Sequence, residues 1–551
     1  MTQTRLIALF AVMILAFSVL SGRLFLLAQN TQYAQTAANQ TVTTLTLEQE
    51  RGNLYDCNGR CLTRYGQKYY ALSVPGESSY AELFKYVPYG KQEQLYDKRN
   101  ALAPFLIEVD RDLTQQGIYT YKVPERYYPV PIATHLIGYL GKDGQGMSGL
   151  EMAFDELLGQ NQGERSIQCV TTAQGALLNG EEPQLINRES DGKGVMLTLD
   201  ESIQRACEGI AQSEMEKGCI VVMDKATGKV RASVSMPEFD PYNINASIQA
   251  EDSSLLNRPL CQYNVGSVFK PVLAAAALEE GLGWYSMECE SVIAINGHGY
   301  HCAQNRAHGL MNIKGALEKS CNCFFIDLGL QLGGERISEM AQKFGFGQPI
   351  YLAGGLKSAG GNVPSTETLN DLGELANLSF GQGQLLAAPI QLAAAFNVIA
   401  GDGWYRTPTF LEGIVNENNG AMEKKAEPPQ EHRVIQEQTA KILREMLTAV
   451  VQEGIGKQAA PKNGIAAGKT GTAQTGVFAE DGREEMNYWF AGFYPAKKPL
   501  YTIVVLQDAT PEPETSSAAV FADVCDALFW LQDSQTQQSI LEQQKIAEKA
   551  D

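Results

Sequence analysis

Apolar and polar positions along the chain fall into stretches of different period. Leu6 to Gly22 is an uncharged, almost wholly apolar run of 17 residues, and after Arg23 the run resumes from Leu24 to Ala28. With Arg23 snorkelling to the interface, the usable span is about 20 residues, the length of a bilayer-crossing helix. Residues 30–50 are polar and rich in Thr, Gln and Ala, and read as a stalk. Beyond them, short strand-like runs alternate with turn signals such as Asn58-Gly59 and Asp143-Gly144. From Val195 the pattern sharpens. VMLTL predicts a strand, Asp200 a helix N-cap, and ESIQRACEGI a helix. CIVVMDKATGKVRASVS places apolar runs on both sides of Thr227-Gly228, which predicts a β-hairpin. PVLAAAALEEGL predicts a helix capped by Gly281. MNYWFAGFYP and PLYTIVVLQD predict two more strands. From about Asp533 the chain turns polar and Gln-rich, the expectation for a frayed helix or a disordered tail. Strands at both ends of a block with helices between them predict a layered α/β body.

Charge narrows the function classes. The formal net charge is −19 over 551 residues, and no basic run occurs. That balance argues against a nucleic-acid binder and against adhesion to anionic lipid. Arg5 precedes the apolar span, and no Lys or Arg lies between Arg23 and Arg51. The positive-inside rule therefore puts the short head in the cytoplasm and the rest outside. A cleaved signal peptide is the rival reading. The apolar region is long for that role, and no A-x-A site follows it directly.

Three short motifs carry candidate chemistry. S-x-x-K occurs as Ser190-Asp-Gly-Lys193 and as Ser267-Val-Phe-Lys270. The first sits in a glycine-containing turn and reads as a solvated loop. The second opens a helix, where i and i+3 share a face and Lys270 can take a proton from the Ser267 hydroxyl. The helix N-terminus brings backbone N–H groups to Ser267, and Gly266 leaves room for a close approach of substrate. Ser320-Cys321-Asn322 is the S-x-N of the chain, and Lys469-Thr470-Gly471-Thr472 is its K-T-G. Ser320 can relay a proton, and Asn322 offers an amide both a donor and an acceptor. Gly471 suits a strand approached by a ligand backbone, and the Thr470 and Thr472 hydroxyls with Lys469 suit a carboxylate.

Order and spacing of the three match the penicillin-recognising serine enzymes. The chain resembles the class B penicillin-binding proteins, the monofunctional peptidoglycan D,D-transpeptidases. The resemblance also rests on RGNLYDCNGRCLT (51–63), HLIGYLGKDGQGMSGLEMAFDELLGQNQGE (135–164), NRPLCQYNVGSVFKP (257–271), GQGQLLAAPIQLA (381–393) and WFAGFYP (489–495), and spans about residues 45–530. Val265, Ala388 and Cys57 depart from the family pattern without touching an expected catalytic side chain. The fold implied is α/β (α+β): a penicillin-binding, β-lactamase-like transpeptidase domain whose antiparallel sheet is flanked by helices, with an N-terminal pedestal domain and one transmembrane helix. The implied division is head and anchor at 1–28, stalk and dimerisation-like pedestal at 29–195, transpeptidase domain at 196–532, and polar tail at 533–551.

The implied chemistry belongs to a serine-type D-Ala-D-Ala transpeptidase, an acyltransferase of the carboxypeptidase class. Ser267 is the nucleophile and Lys270 its base, while Ser320 and Lys469 pass the proton on. The N–H groups of Ser267 and Thr472 form the oxyanion hole, and Asn322, Thr470, Gly471 and Thr472 bind substrate. The implied partners are peptidoglycan stem peptides, β-lactams and a polytopic membrane glycosyltransferase. No metal or organic cofactor is required for this chemistry. Alternatives are a β-lactamase-like hydrolase and a catalytically silent scaffold. The hydrolase would need E-x-x-L-N, but Thr366 stands where the Glu is required before Leu369-Asn370.

Eleven cysteines, an odd number, leave at least one thiol unpaired within the chain. Cys289, His298, His301 and Cys302 lie within 14 residues, which admits a zinc site, a Cys289–Cys302 disulfide or free thiols.

Overall fold

The computed structural model describes residues 2–29, 42–64, 66–74, 79–159, 163–172, 176–178, 180–188, 192–250, 252–479 and 482–550. Ser190, and with it the first S-x-x-K copy, lies outside the described residues, as do stalk residues 30–41. Thr2–Ala28 is one helix. It is long and apolar enough to cross a membrane, and alone in this among the described residues.

The chain forms two compact units, and both draw on the first 192 residues. The smaller comprises residues 1–51, 64–126 and 160–192. It carries two three-stranded antiparallel sheets. In one, Glu164–Val170 is the middle strand between Val42–Gln49 and Gln184–Arg188. In the other, Gly66–Ser73 lies between Phe105–Val109 and Thr120–Glu125. Leu83, Leu95, Ile107 and Leu113 fill a core beside the second sheet.

The larger unit takes residues 52–63, 127–159 and 193–551. A linear reading assigns the first two segments to the N-terminal block. The second is tied in by Ala133 N, which donates to Glu208 Oε1 at 2.6 Å. The first is tied in by Asp56, which is fully buried and accepts from Asn58 N (2.8 Å), Arg60 N (2.7 Å) and Glu201 N (3.2 Å). A buried carboxylate must find such donors, and the last comes from a helix 145 residues further on.

The body of this unit is a five-stranded antiparallel sheet with helices around it. In chain order its main elements are α1 (Glu201–Glu214), β1 (Gly218–Asp224), β2 (Val230–Met236), α2 (Lys270–Glu279), α3 (Asn322–Leu332), α4 (Pro389–Ala400), α5 (Glu437–Gln452), β3 (Ala467–Phe478), β4 (Glu484–Tyr494), β5 (Tyr501–Thr510) and α6 (Ser517–Ala550). Strand order is β2-β1-β5-β4-β3, so β3 is an edge. Each prediction from Asp200 to Asp508 has its element here. Asp200 caps α1, accepting from Ser202 N and Ile203 N, and Gly228 turns the β1–β2 hairpin at φ +74°. Of the two expectations for the tail, the helical one has its element here, because α6 continues as helix through Asp533 to Ala550.

Candidate active site

Ser267 lies in a 3-10 turn, Gly266–Phe269, that runs directly into α2. Residues 270 to 277 of α2 are all buried, so this helix is core on every side and carries Lys270 inside with it. Gly266 has φ +66°, and a Cβ there would stand 2.6 Å from the Thr472 carbonyl oxygen. At Gly471 a Cβ would meet Val268 Cγ1 at 3.0 Å. Both glycines therefore let the Ser267 turn press against β3. The room expected for substrate at these two positions is filled by the protein's own chain, although Gly471 still lines the cleft. Asn264 helps hold the arrangement: its carbonyl accepts from Trp489 Nε1 at 3.0 Å, and its amide donates to Gln474 O on β3.

Lys270 is fully buried and donates to Ser320 O (2.9 Å), Ser320 Oγ (3.1 Å) and Asn322 Oδ1 (2.7 Å). The i, i+3 spacing placed it against Ser267, whereas its hydrogen bonds tie it to the S-x-N motif. Burial lowers its pKa to about 7. Lys469, on β3, is also fully buried and donates to Thr470 O (3.0 Å) and Thr470 Oγ1 (3.3 Å). Burial, and then the charge of Lys270, push its pKa well below the ordinary lysine value. Two ammonium groups in one buried space disfavour each other's charge.

Ser320 follows the short helix Ile313–Glu318 and has φ +51°, a strained value for a residue with a side chain. Cys321 then caps α3, its Sγ accepting from Phe324 N at 3.4 Å. Asn322 Nδ2 donates to His301 O at 3.0 Å, which aims its Oδ1 at Lys270.

These parts share one opening. A cleft of about 400 Å³ is lined by Ser267, Ser320, Asn322, Thr470, Gly471 and Thr472, and also by Gln382, Phe380, Arg306 and His308. Gln382 was not singled out from the sequence, though it stands in the GQGQ stretch; its Nε2 donates to Thr472 O at 3.3 Å. Further along that stretch, buried Gln391 donates to Gln348 O and Gly360 O, both at 2.9 Å, and fixes the start of α4.

Residues 218–526, more than half of the chain, match the penicillin-binding protein transpeptidase domain. The chain belongs to the penicillin-binding-protein transpeptidase family, among its class B members. Stage V sporulation protein D of Bacillus subtilis is 32% identical over 72% of this chain and 62% of its own length. The penicillin-binding protein PbpB of Mycolicibacterium smegmatis is 31% identical over 73% of this chain and 64% of its own. The chain thus spans a little under two thirds of these relatives. A solved penicillin-binding protein 3 of Mycobacterium tuberculosis, complexed with aztreonam, is 25% identical, superposes with a TM-score of 0.65, and covers 89% of this chain and 97% of its own.

The cysteine cluster differs from the sequence expectation in its members. His298 and His301 are exposed and stand outside it. His308, Cys321 and Cys323 join Cys289 and Cys302 instead, and none of the eleven cysteines is in a disulfide. Local spacing pointed to the nearest histidines, but the strand Val292–Ile295 and its partner His298–His301 form a hairpin whose tip carries His298 away.

Proposed function

We propose that this chain is a peptidoglycan D,D-transpeptidase that cross-links stem peptides through a Ser267 acyl-enzyme. One observation carries the reading: all three motifs line one cleft, and two lysines with disfavoured charge are buried behind that lining.

Ser267 Oγ attacks the carbonyl of the penultimate D-Ala of a D-Ala-D-Ala stem. Lys270 takes the hydroxyl proton; with a pKa of about 7 it is largely free base just above neutrality. The developing oxyanion accepts from the N–H groups of Ser267 and Thr472. As the amide C–N bond breaks, Ser320 and Lys469 pass the proton to the departing D-Ala amine. The donor peptide lies along the open edge of β3 as an added strand. Asn322 holds its amide, and Thr470, Thr472 and Lys469 hold its carboxylate. The amine of a second stem peptide then attacks the ester and frees Ser267. A β-lactam acylates the same oxygen, but its amine stays tethered and the enzyme is trapped. The N-terminal helix anchors the chain with the body outside the cytoplasm, where it works with a polytopic membrane glycosyltransferase contacted through that helix and the pedestal.

Labelled penicillin and a synthetic pentapeptide stem test this on the full-length chain. We expect one covalent label per chain, lost in Ser267→Ala, and D-Ala release with dimer formation. A label that persists in Ser267→Ala, or acylation without any D-Ala release, overturns the reading.

A further inference from the structure

We propose that Cys289, Cys302, His308 and Cys321 bind a zinc ion directly behind the S-x-N motif, and that this ion fixes the segment carrying Ser320 and Asn322. The four ligand atoms all lie within 4.8 Å of one another. Tetrahedral zinc with Zn–S near 2.3 Å and Zn–N near 2.0–2.1 Å sets sulfur atoms about 3.8 Å apart, and sulfur and nitrogen about 3.5 Å apart. Three of the six separations are 3.7 Å for Cys289–Cys302, 3.6 Å for Cys302–Cys321 and 3.5 Å from Cys289 Sγ to His308 Nδ1, and the other three stay within 4.8 Å. The bland account is a set of small buried side chains packed as hydrophobes. It leaves unexplained why an imidazole nitrogen points at Cys289 among them. It also leaves unexplained why Cys302 meets three other thiols at once, since a cysteine can form a disulfide with only one.

The surroundings fit a structural ion. Three thiolates and an imidazole form one of the closed donor sets of structural zinc. Cys289, Cys302 and Cys321 are almost completely buried, while His308 is half-exposed and lines the cleft, which provides an entry path. His308 N donates to Cys289 O at 3.1 Å, so two ligands are already set by backbone pairing. The ligands come from separate pieces: the end of strand Ser286–Cys289, the loop after His298–His301, the loop before strand Gly309–Asn312, and the N-cap of α3. Those strands form two-stranded sheets only, which are marginal by themselves, and a metal clip is one way to hold such pieces. The ion replaces the thiol protons of its three cysteines, which are released to solvent. Cys323 Sγ, 3.5 Å from Cys302, stands as a spare thiol directed to Tyr300 O.

The test is metal analysis of the full-length chain, purified under reducing conditions with zinc supplied. We expect one tightly held zinc per chain, released when a mercurial titrates the thiols. Replacement by cobalt should give the intense visible bands of tetrahedral thiolate coordination. Cys289→Ser and His308→Ala should lose the ion, while Cys57→Ser, far from the cluster in sequence, keeps it. Loss in Cys323→Ser with retention in His308→Ala would overturn the ligand set. A folded wild-type chain without zinc, or peptide mapping that finds Cys302 in a disulfide, would overturn the site itself. The wild-type mercurial titration decides the matter even where a ligand variant fails to fold.

Discussion

Two neighbouring regions deliver polar atoms to the same cleft by different physical means. The first, Gly266 to Glu279, is held by burial: Val268, Phe269 and the alanines of α2 are all essentially inaccessible, and they belong to the large core of the unit. The second, residues 284–322, joins two-stranded pieces to the short helix Ile313–Glu318. Its outer face leaves large apolar side chains in solvent, Leu310 at 71% exposure and Val292 at 44%, while Met311, Ile313, Ala316 and Leu317 are buried in the same core. To that packing it adds polar contacts and the thiol cluster. The nucleophile is thus placed by the hydrophobic effect, which is non-directional, and its proton-handling partners by that effect together with directional bonds. Lys270 joins the two: its stem lies in the first region and its three hydrogen bonds end in the second.

Cutting that link should have the largest effect. Lys270→Met keeps the volume and removes the amine, so acylation by labelled penicillin should fall by about 10²–10⁴-fold, the usual worth of a positioned proton acceptor. The pH dependence follows from the same group. Its folded pKa is about 7 against an ordinary 10.5, so between these values the unfolded chain binds a proton that the folded chain does not. Stability therefore rises with pH across that window, and the slope should flatten in Lys270→Met when chemical denaturation is measured at pH 7 and pH 9. In the wild type, acylation should rise through a midpoint near pH 7. An unchanged slope would mean that Lys270 stays charged in its pocket.

Next in size is Ala275→Leu in α2. The site is fully buried, so added methylenes overpack it and should cost about 1–3 kcal/mol, read as a lower denaturation midpoint. Gly266→Ala adds a Cβ against Thr472 O at a positive φ, a strain on the order of 1–3 kcal/mol. The two changes separate the forms of support. Ala275→Leu should act on stability more than on acylation. Gly266→Ala should move the Ser267 turn off β3 and lower acylation even where the chain remains folded.

The same contrast explains what could be read from the sequence. Elements whose cause is local were legible: the Asp200 cap, the Gly228 hairpin, the near-continuous apolar runs of β4 and β5. The motifs carried by them were legible as candidates, and Ser267, Ser320, Asn322 and Thr470–Thr472 share a cleft. Features set by distant chain segments were not. Asp56 is bound to Glu201 N, and nothing in residues 51–63 announces that partner. Gly266 and Gly471 looked like openings for a ligand because the segment that fills each, β3 for Gly266 and the Ser267 turn for Gly471, lies far off in the chain. His308 was passed over for the closer His298 and His301, since spacing along the chain does not reveal which way a hairpin carries its tip. The hydrogen bonds of Lys270 to Ser320 and Asn322 were not legible either, because an i, i+3 relation to Ser267 fixes the face of a helix but not every partner of a long side chain.

The smallest expected effect is the sharpest probe of the second region. Leu310 lies on the strand Gly309–Asn312, two residues from His308, yet it is mostly in solvent. The next residue, Met311, is buried, and Met311→Ala should cost about 2–5 kcal/mol. Leu310→Ala should stay within about 0.5 kcal/mol, the range of ordinary surface changes. Matched denaturation curves with Ala275→Leu on one plot make the comparison direct, because both sites lie in the same compact unit. A large loss at Leu310 would show that this face is covered in the intact protein, and the hairpin region would then be an interface in its own right.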